Sequence, residues 1–319
     1  MNRHLRALAP CRAFPAAPPP ALLLPLLLAP AIFPGSTAVR AQEPATRVVI
    51  LGTGTPIADP DRYGPSVAVV VGEESYLVDA GAGVVRRAAA AARNGIPALA
   101  ASNLKRVFIT HLHTDHTVGL PDLMFTPWQN GRAAPVEVYG PPGTLRMTTN
   151  IEEAWVEDIH MRLFGLEGRS AHNYRAETRE IEAGTVYDDG TVRVDAIPVD
   201  HTTWPIAFGY RFVTPDRTIV ISGDARPSPS LVEACNGCDV LVHEVYSRDF
   251  FDRHRNQTYH AAAHTSTAEV AALAMEARPG LLVLYHQLYR SATDEDLIRE
   301  VREAGYTGRV VSAADLDVY

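Results

Sequence analysis

Cysteine is scarce in this chain, with three in 319 residues. Cys11 stands ahead of the long apolar stretch, out of place for a lipid-anchored cysteine. The other two form Cys235-Asn-Gly-Cys238, without the βαβ surroundings of a thioredoxin-like redox motif. A disulfide or inert packing is expected for them, with a metal-ligand pair as the alternative. Long hydrophobic runs are also lacking. The apolar stretch at 21–33 is too short and too rich in proline for a comfortable membrane span. It follows Arg3, Arg6 and Arg12 and precedes Val39-Arg40-Ala41, the layout of a secretory signal peptide. Residues 1–41 are therefore expected to be removed, which implies a periplasmic or secreted protein with no stable membrane anchor.

Positive charge is in short supply. The chain has 29 basic and 37 acidic residues. Residues 1–41 hold four arginines and no acid, so residues 42–319 carry 25 basic and 37 acidic residues, a formal net charge of −12. Such a surface has no general attraction for polyphosphate backbones, so nucleic acid is an unlikely partner on this ground. No linker or repeat interrupts residues 43–319, which reads as one domain spanning 42–319. The glycines of Gly52-Thr-Gly-Thr-Pro56 fit neither nucleotide-binding fingerprint and are read as a tight turn beside the functional site.

What is present in quantity is histidine at close spacing. His111-Leu-His113-Thr-Asp115-His116 puts three imidazoles and one carboxylate within six residues. A buried strand from Leu104 to Thr110 is expected before it and a helical entry from Thr117 to Met124 after it. The cluster then lies on a loop at the C-terminal end of a strand, where α/β proteins place their chemistry. Imidazole nitrogen and carboxylate oxygen suit zinc and similar metals. Four such ligands in one segment exceed what one tetrahedral catalytic ion needs, which suggests two ions.

Four more strands end in a ligand or proton carrier. Thr191 to Val199 leads into Asp200-His201, Thr218 to Ser222 into Gly223-Asp224, Val240 to Val242 into His243-Glu244, and Leu281 to Tyr285 into His286. Helices are expected at Val84–Arg93, from Thr144 (a candidate cap) to Phe164, at Thr267–Ala277, and from Asp294 to Ala304. Asp79 reads as a turn carboxylate able to brace a metal-bound histidine. His160 and His172 read as surface or core residues. Tyr63, Trp128, Trp204, Tyr246 and Tyr289 are candidates for an aromatic pocket or for the core. The pattern predicts an α/β fold, an αββα sandwich of two mixed β-sheets with outer helices.

The opening motif, with His201, Asp224 and His286 in order after it, resembles the metallo-β-lactamase superfamily over nearly the whole of residues 42–319. The resemblance implies His111, His113 and His201 on one zinc, Asp115, His116 and His286 on a second, and Asp224 bridging. Manganese or iron could replace zinc. The common zinc β-lactamases fit poorly: they use a cysteine where Asp224 stands, and they lack the second histidine of the Asp-His pair. Gly-Tyr-Arg-Phe at 209–212, Ser-Gly-Asp at 222–224, His-Glu at 243–244 and His-Thr-Ser-Thr at 264–267 resemble the branch holding ribonuclease Z and arylsulfatase-like members. In that branch the residues matching Glu244 and His264 assist leaving-group departure, so Asp115, Glu244 and His264 are the expected catalytic side chains. The wording Thr126-Pro-Trp128, Glu233 to Cys238 and Tyr285-His-Gln-Leu288 looks more like exported arylsulfatase-like members. The stretch 141–190 lacks the Gly-rich, basic arm with which ribonuclease Z grips tRNA.

Two zinc ions roughly 3.5–4 Å apart lower the pKa of a shared water toward neutrality and clamp the attacked oxygen. The leading expectation is an exported dinuclear zinc hydrolase of small sulfate or phosphate esters. The alternatives are a ribonuclease Z-type phosphodiesterase acting at tRNA 3′ ends, hydrolysis of other esters such as lactones or thioesters, and a non-catalytic zinc- or ligand-binding protein. Oligomeric state is open, a homodimer included.

Overall fold

The computed structural model describes residues 46–252, 258–289 and 291–319. The expected signal peptide, 1–41, lies outside them. The first sheet has the order β1 (Thr46–Gly52), β2 (Ser66–Val71), β3 (Glu74–Val78), β4 (Arg106–Phe108), β5 (Val136–Gly140) and β6 (Ala176–Glu180). The second contains β7 (Gly184–Asp188), β8 (Arg193–Val199), β9 (Ala207–Val213), β10 (Thr218–Ile221), β11 (Val240–Tyr246), β12 (Leu281–Leu288) and β13 (Val310–Ser312), paired in that same order.

The sheets face each other across a core that includes Val48, Val69, Phe108, Tyr210, Phe212, Val242 and Val283. On the outside, α1 (Val84–Arg93) and α3 (Leu120–Gln129) cover the first sheet. The second is covered by α6 (Pro229–Cys235), α9 (Thr267–Ala277) and α10 (Asp294–Glu303). Strands β11 and β12 are buried on both faces and accordingly open as continuous apolar runs, Val240–Val242 and Leu281–Tyr285. This is the αββα sandwich the pattern predicts.

Strand direction explains why the chemistry collects at one edge. β10, β11, β12 and β13 are mutually parallel, and β8 is antiparallel to β9, which is antiparallel to β10. So β8, β10, β11 and β12 all point the same way. In the first sheet β3, β4, β5 and β6 are parallel.

Several expected boundaries shift. The paired strand covers Arg106–Phe108 alone of the span Leu104 to Thr110, although Glu137 of β5 donates to the Lys105 carbonyl and the Ile109 amide donates to the Tyr139 carbonyl of β5. The ligand motif is not wholly loop. Thr114–Thr117 forms one helical turn, α2, so Asp115 and His116 are helical. The span Thr144 to Phe164 divides into α4 (Thr144–Ala154) and α5 (Val156–Phe164) at Trp155. Thr144 is not the cap; its hydroxyl donates to the Pro141 carbonyl at 2.6 Å. Gly143 stands at the cap position with φ 106°, and Glu180 accepts from the Gly143 and Leu145 amides instead. Cys235 and Cys238 form a disulfide. Among the described residues no helix is long and apolar enough to cross a membrane.

Candidate metal centre

The motif after β4 is clamped by the turn after β3. Asp79 donates its amide to the Phe108 carbonyl, and Ala80 donates to the His116 carbonyl. At Gly81 the chains approach so closely that a β-carbon would lie 2.3 Å from Gly64 and 2.8 Å from the Asp115 carbonyl. Asp79 itself has φ 62°, a left-handed conformation that asparagine and aspartate tolerate better than most residues. Its buried carboxylate accepts from the Thr110 amide at 2.8 Å, from the Thr110 hydroxyl, and from His116 Nδ1 at 2.7 Å. The Thr110 hydroxyl, having spent its proton on Asp79, accepts from His111 Nδ1 at 3.0 Å. Asp79 thus orients one histidine directly and another through a hydroxyl. In both rings the Nδ1–H is engaged and Nε2 is left to face the cavity.

Two clusters result: His111, His113, His201 and Asp224, and beside them Asp115, His116 and His286, with ligand atoms within 4.8 Å of one another in each. His201 donates Nδ1–H to the Ala263 carbonyl at 2.8 Å, which again frees Nε2. Asp224 lies between the clusters. Its Oδ1 is 3.3 Å from His116 Nε2 and 3.6 Å from His286 Nε2, while Oδ2 is 4.0 Å from His201 Nε2. Asp224 follows Gly223, whose φ of 61° and contact with Thr110 turn the chain into the site. His286 enters through a bulge. β12 does not end there as expected. Tyr285 pairs with Glu244 and Gln287 with Val245, leaving His286 unpaired with φ 45°.

The donor set fits metal ions. His116 Nε2 and Asp224 Oδ1 are buried and have no hydrogen-bond partner, a costly state unless a cation takes them up. Burial opposes the charged ring of His116, but Asp224 and Asp79 outweigh it and hold its pKa well above the usual histidine range. Burial and neighbouring His116 push His111 well below it. Asp224 stays ionised in spite of burial, because His286 and His116 face it.

Glu244 and His264 adjoin the clusters. His264 Nδ1 donates to Glu244 Oε1 at 3.1 Å, and Glu244 Oε1 also accepts from the Thr265 and Ala225 amides. Burial disfavours protonated His264, but the Glu244 charge and hydrogen bond outweigh it and lift the pKa to about 9. A capping box at Ser266, reciprocal with Glu269, fixes the loop that carries His264 into α9. β11 continues past His243 to Tyr246, and His243 turns away from the two ligand clusters. It lies on the helix-facing side with Leu241 and Val245, its Nδ1 donating to the Glu244 carbonyl.

Of the aromatic candidates, Trp128 and Tyr246 are core. Trp204 donates Nε1–H to His113 Nε2 at 2.7 Å. Tyr63 lines a cleft of about 690 Å³ with Thr55, Ile57, Asp115 and Val118, so the Gly52–Pro56 turn does border the site. Tyr289 stacks under the Arg62 guanidinium at 4.4 Å. His160 and His172 are exposed. Sequence reasoning passed over Tyr259, which stands beside His264, with ring centroids 6.0 Å apart. Its spacing of five residues before His264 was the signal available.

A family model described as Beta-lactamase superfamily domain matches residues 74–287. Ribonuclease Z of Mycobacterium marinum is 36% identical over 275 residues, covering 84% of this chain and 96% of the relative. Ribonuclease Z of Mycobacterium bovis is 34% identical over 281 residues, with the same coverage. Among solved structures, the metallo-β-lactamase fold protein YhfI of Bacillus subtilis superposes with a TM-score of 0.66 at 18% identity, over 86% of this chain and 99% of that one. Human tRNase Z, short form, gives 0.63 at 23% identity, over 86% and 98%. These structures share the fold. The ribonuclease relatives overturn the expectation that nucleic acid is an unlikely partner. That expectation rested on net charge, which averages over the whole surface and omits the cations a metal site brings to the point of contact.

Proposed function

The chain belongs to the metallo-β-lactamase superfamily of metal-dependent hydrolases, and from that premise we propose that it is a dinuclear phosphodiesterase of ribonuclease Z type, cleaving RNA such as a tRNA precursor with a 3′ extension. The observation that carries the reading is Asp224, whose two oxygens face two separate ligand clusters, with the Glu244–His264 pair alongside. His111, His113 and His201 would hold one cation, Asp115, His116 and His286 the other, with Asp224 shared. Zinc suits this donor set, and manganese or iron is compatible with it. Two bound cations supply Lewis acidity and an activated water. The chain supplies the proton. Glu244 keeps His264 protonated through Nδ1, and Nε2 delivers a proton to the leaving oxygen as its bond to phosphorus breaks. A binding protein needs no such pair.

A second reading, an exported hydrolase of small sulfate or phosphate esters, is supported by the basic, apolar and small-residue order of residues 1–41 and is compatible with the Cys235–Cys238 disulfide. The test is a parallel screen of metal-loaded protein on a 3′-extended tRNA precursor, a bis-aryl phosphodiester and an aryl sulfate. Chelator-sensitive cleavage of the RNA supports the proposal. Turnover of aryl sulfate without any phosphodiester cleavage would replace it with the second reading. Intact-mass analysis of exported protein, expected to start near Gln42, tests the processing.

A further inference from the structure

Tyr259 lies on α8 (Thr258–Ala263), a short helix tied to the metal centre at its C-terminal end. The Ala263 carbonyl holds His201 Nδ1 at 2.8 Å, and the His264 amide donates back to the His260 carbonyl at 2.8 Å. A residue one turn before Ala263 is therefore placed by the same contacts that place a metal ligand and the proton donor. The Tyr259 ring meets His264 nearly edge to face, with centroids 6.0 Å apart and planes at 73°. Half of its surface is nevertheless open, at 50% exposure. Burial of its other half, with the carboxylates of Asp224, Asp115 and Glu244, raises its pKa. Among the described residues, nothing covers the open half of this ring beside His264.

In the proposed reading His264 Nε2 serves the leaving oxygen, so Tyr259, whose ring adjoins His264, stands on the leaving-group side. We infer that Tyr259 is a specificity residue whose ring stacks on a flat leaving group, an aryl ring or a nucleobase, and so favours esters that carry one. The inference rests on His264 as proton donor and deepens the hydrolase reading of the same site. Stacking of a base on an aromatic side chain is lost by alanine substitution at a cost equivalent to roughly 5- to 150-fold. The ring is the active part, so the hydroxyl is dispensable.

The experiment compares methyl phenyl phosphate with methyl hexafluoroisopropyl phosphate, which differ in the flatness of the leaving group at similar acidity. A second arm compares a dinucleoside phosphate with its counterpart whose leaving nucleoside is abasic, separating aryl from nucleobase recognition. In Tyr259→Ala the ratio of kcat/KM for flat over non-flat leaving groups should fall roughly 5- to 150-fold in at least one arm. Tyr259→Phe should keep the wild-type ratio. An unchanged ratio in both arms, or a Phe variant as poor as the Ala variant, overturns the inference. Binding of phenylphosphonate against butylphosphonate to the metal-loaded protein gives a readout free of turnover. If wild type hydrolyses none of the phosphodiesters, the phosphodiesterase reading fails, and this binding preference still decides the role of Tyr259. It should be present in wild type and the Phe variant and lost in the Ala variant.

Discussion

Replacing Asp79 with asparagine removes one buried charge, and one acceptor, from beneath the metal centre. Asparagine is isosteric and accepts the left-handed backbone at this position, so the β3 turn should fold unchanged. Its amide oxygen can still accept from His116 Nδ1, but without the charge that makes the ring a stronger ligand, and its NH2 then faces the Thr110 N–H, so that hydrogen bond is lost as well. Loss of such an outer partner typically weakens metal binding about 10–100-fold, or ~1.4–2.8 kcal/mol. The structure says where the loss should fall. Asp79 bonds His116 directly at 2.7 Å but reaches His111 through the Thr110 hydroxyl. The cluster of Asp115, His116 and His286 should therefore bear most of it, and the cluster of His111, His113 and His201 less. Titration of the metal-free protein with zinc against a competing chelator, read as two stepwise affinities, measures both. A uniform loss at the two sites, or none, would refute the claim that Asp79 acts through His116. Asp79→Ala is the harsher control: it strands the Thr110 amide and His116 Nδ1 in the interior, where each unsatisfied group costs about 1–3 kcal/mol, so it should lower Tm as well.

Other outcomes follow from the same geometry. His264→Ala should retain both metals while slowing esters with poor leaving groups by about 10²–10⁴-fold, and nitrophenyl esters far less; an equal loss on both types assigns it a structural role. In metal-free protein His264 should titrate near pH 9 by NMR, and Glu244→Gln should bring it down toward the ordinary value of about 6.5. Because that pKa is raised on folding, the stability it contributes is fully present below about pH 6.5 and is lost as pH rises through about 9. A Tm of the metal-free protein that rises through this window in wild type but not in the Gln variant would contradict the assignment. Metal taken up at His113 Nδ1 leaves the ring proton on Nε2, where the Trp204 N–H already points at 2.7 Å. Two donors cannot face each other, so metal loading should shift Trp204 and change tryptophan emission, and Trp204→Phe should abolish the change.

The parts of this centre that could be read from the sequence are those set by local spacing. His111, His113, Asp115 and His116 converge because a short extended segment followed by one helical turn leaves them no other place to point. His201 and Asp224 were readable because the first follows an alternating strand and the second an apolar one, and the sheet order gives both strands the same direction. Glu244 and His264 were paired through resemblance, and the backbone explains it, since the isolated bridge between Tyr246 and Ser266 brings their two segments side by side. What escaped depends on through-space partners. The double role of Asp79 runs through a threonine hydroxyl 31 residues away. Tyr259 is set against His264 by a helix whose position follows from His201.

His286 shows most directly why periodicity alone falls short. In an unbroken strand it would share the face of Leu282 and Leu284, which pack against the helices, and its ring would be buried away from the metals. The sequence places a histidine after an apolar run and nothing more. The bulge opposite Glu244 and Val245 rotates that one residue out of alternation, at the cost of a positive φ that a histidine rarely adopts. A strained backbone persists where its surroundings over-determine it. Here the surroundings are Gln287, locked to the Leu284 and Ala313 carbonyls, and Glu244 on the neighbouring strand, itself held by Thr265 and Ala225. One strand junction therefore joins the cluster of Asp115, His116 and His286 to the Glu244–His264 pair. A substitution that relaxes the bulge should disturb both functions together.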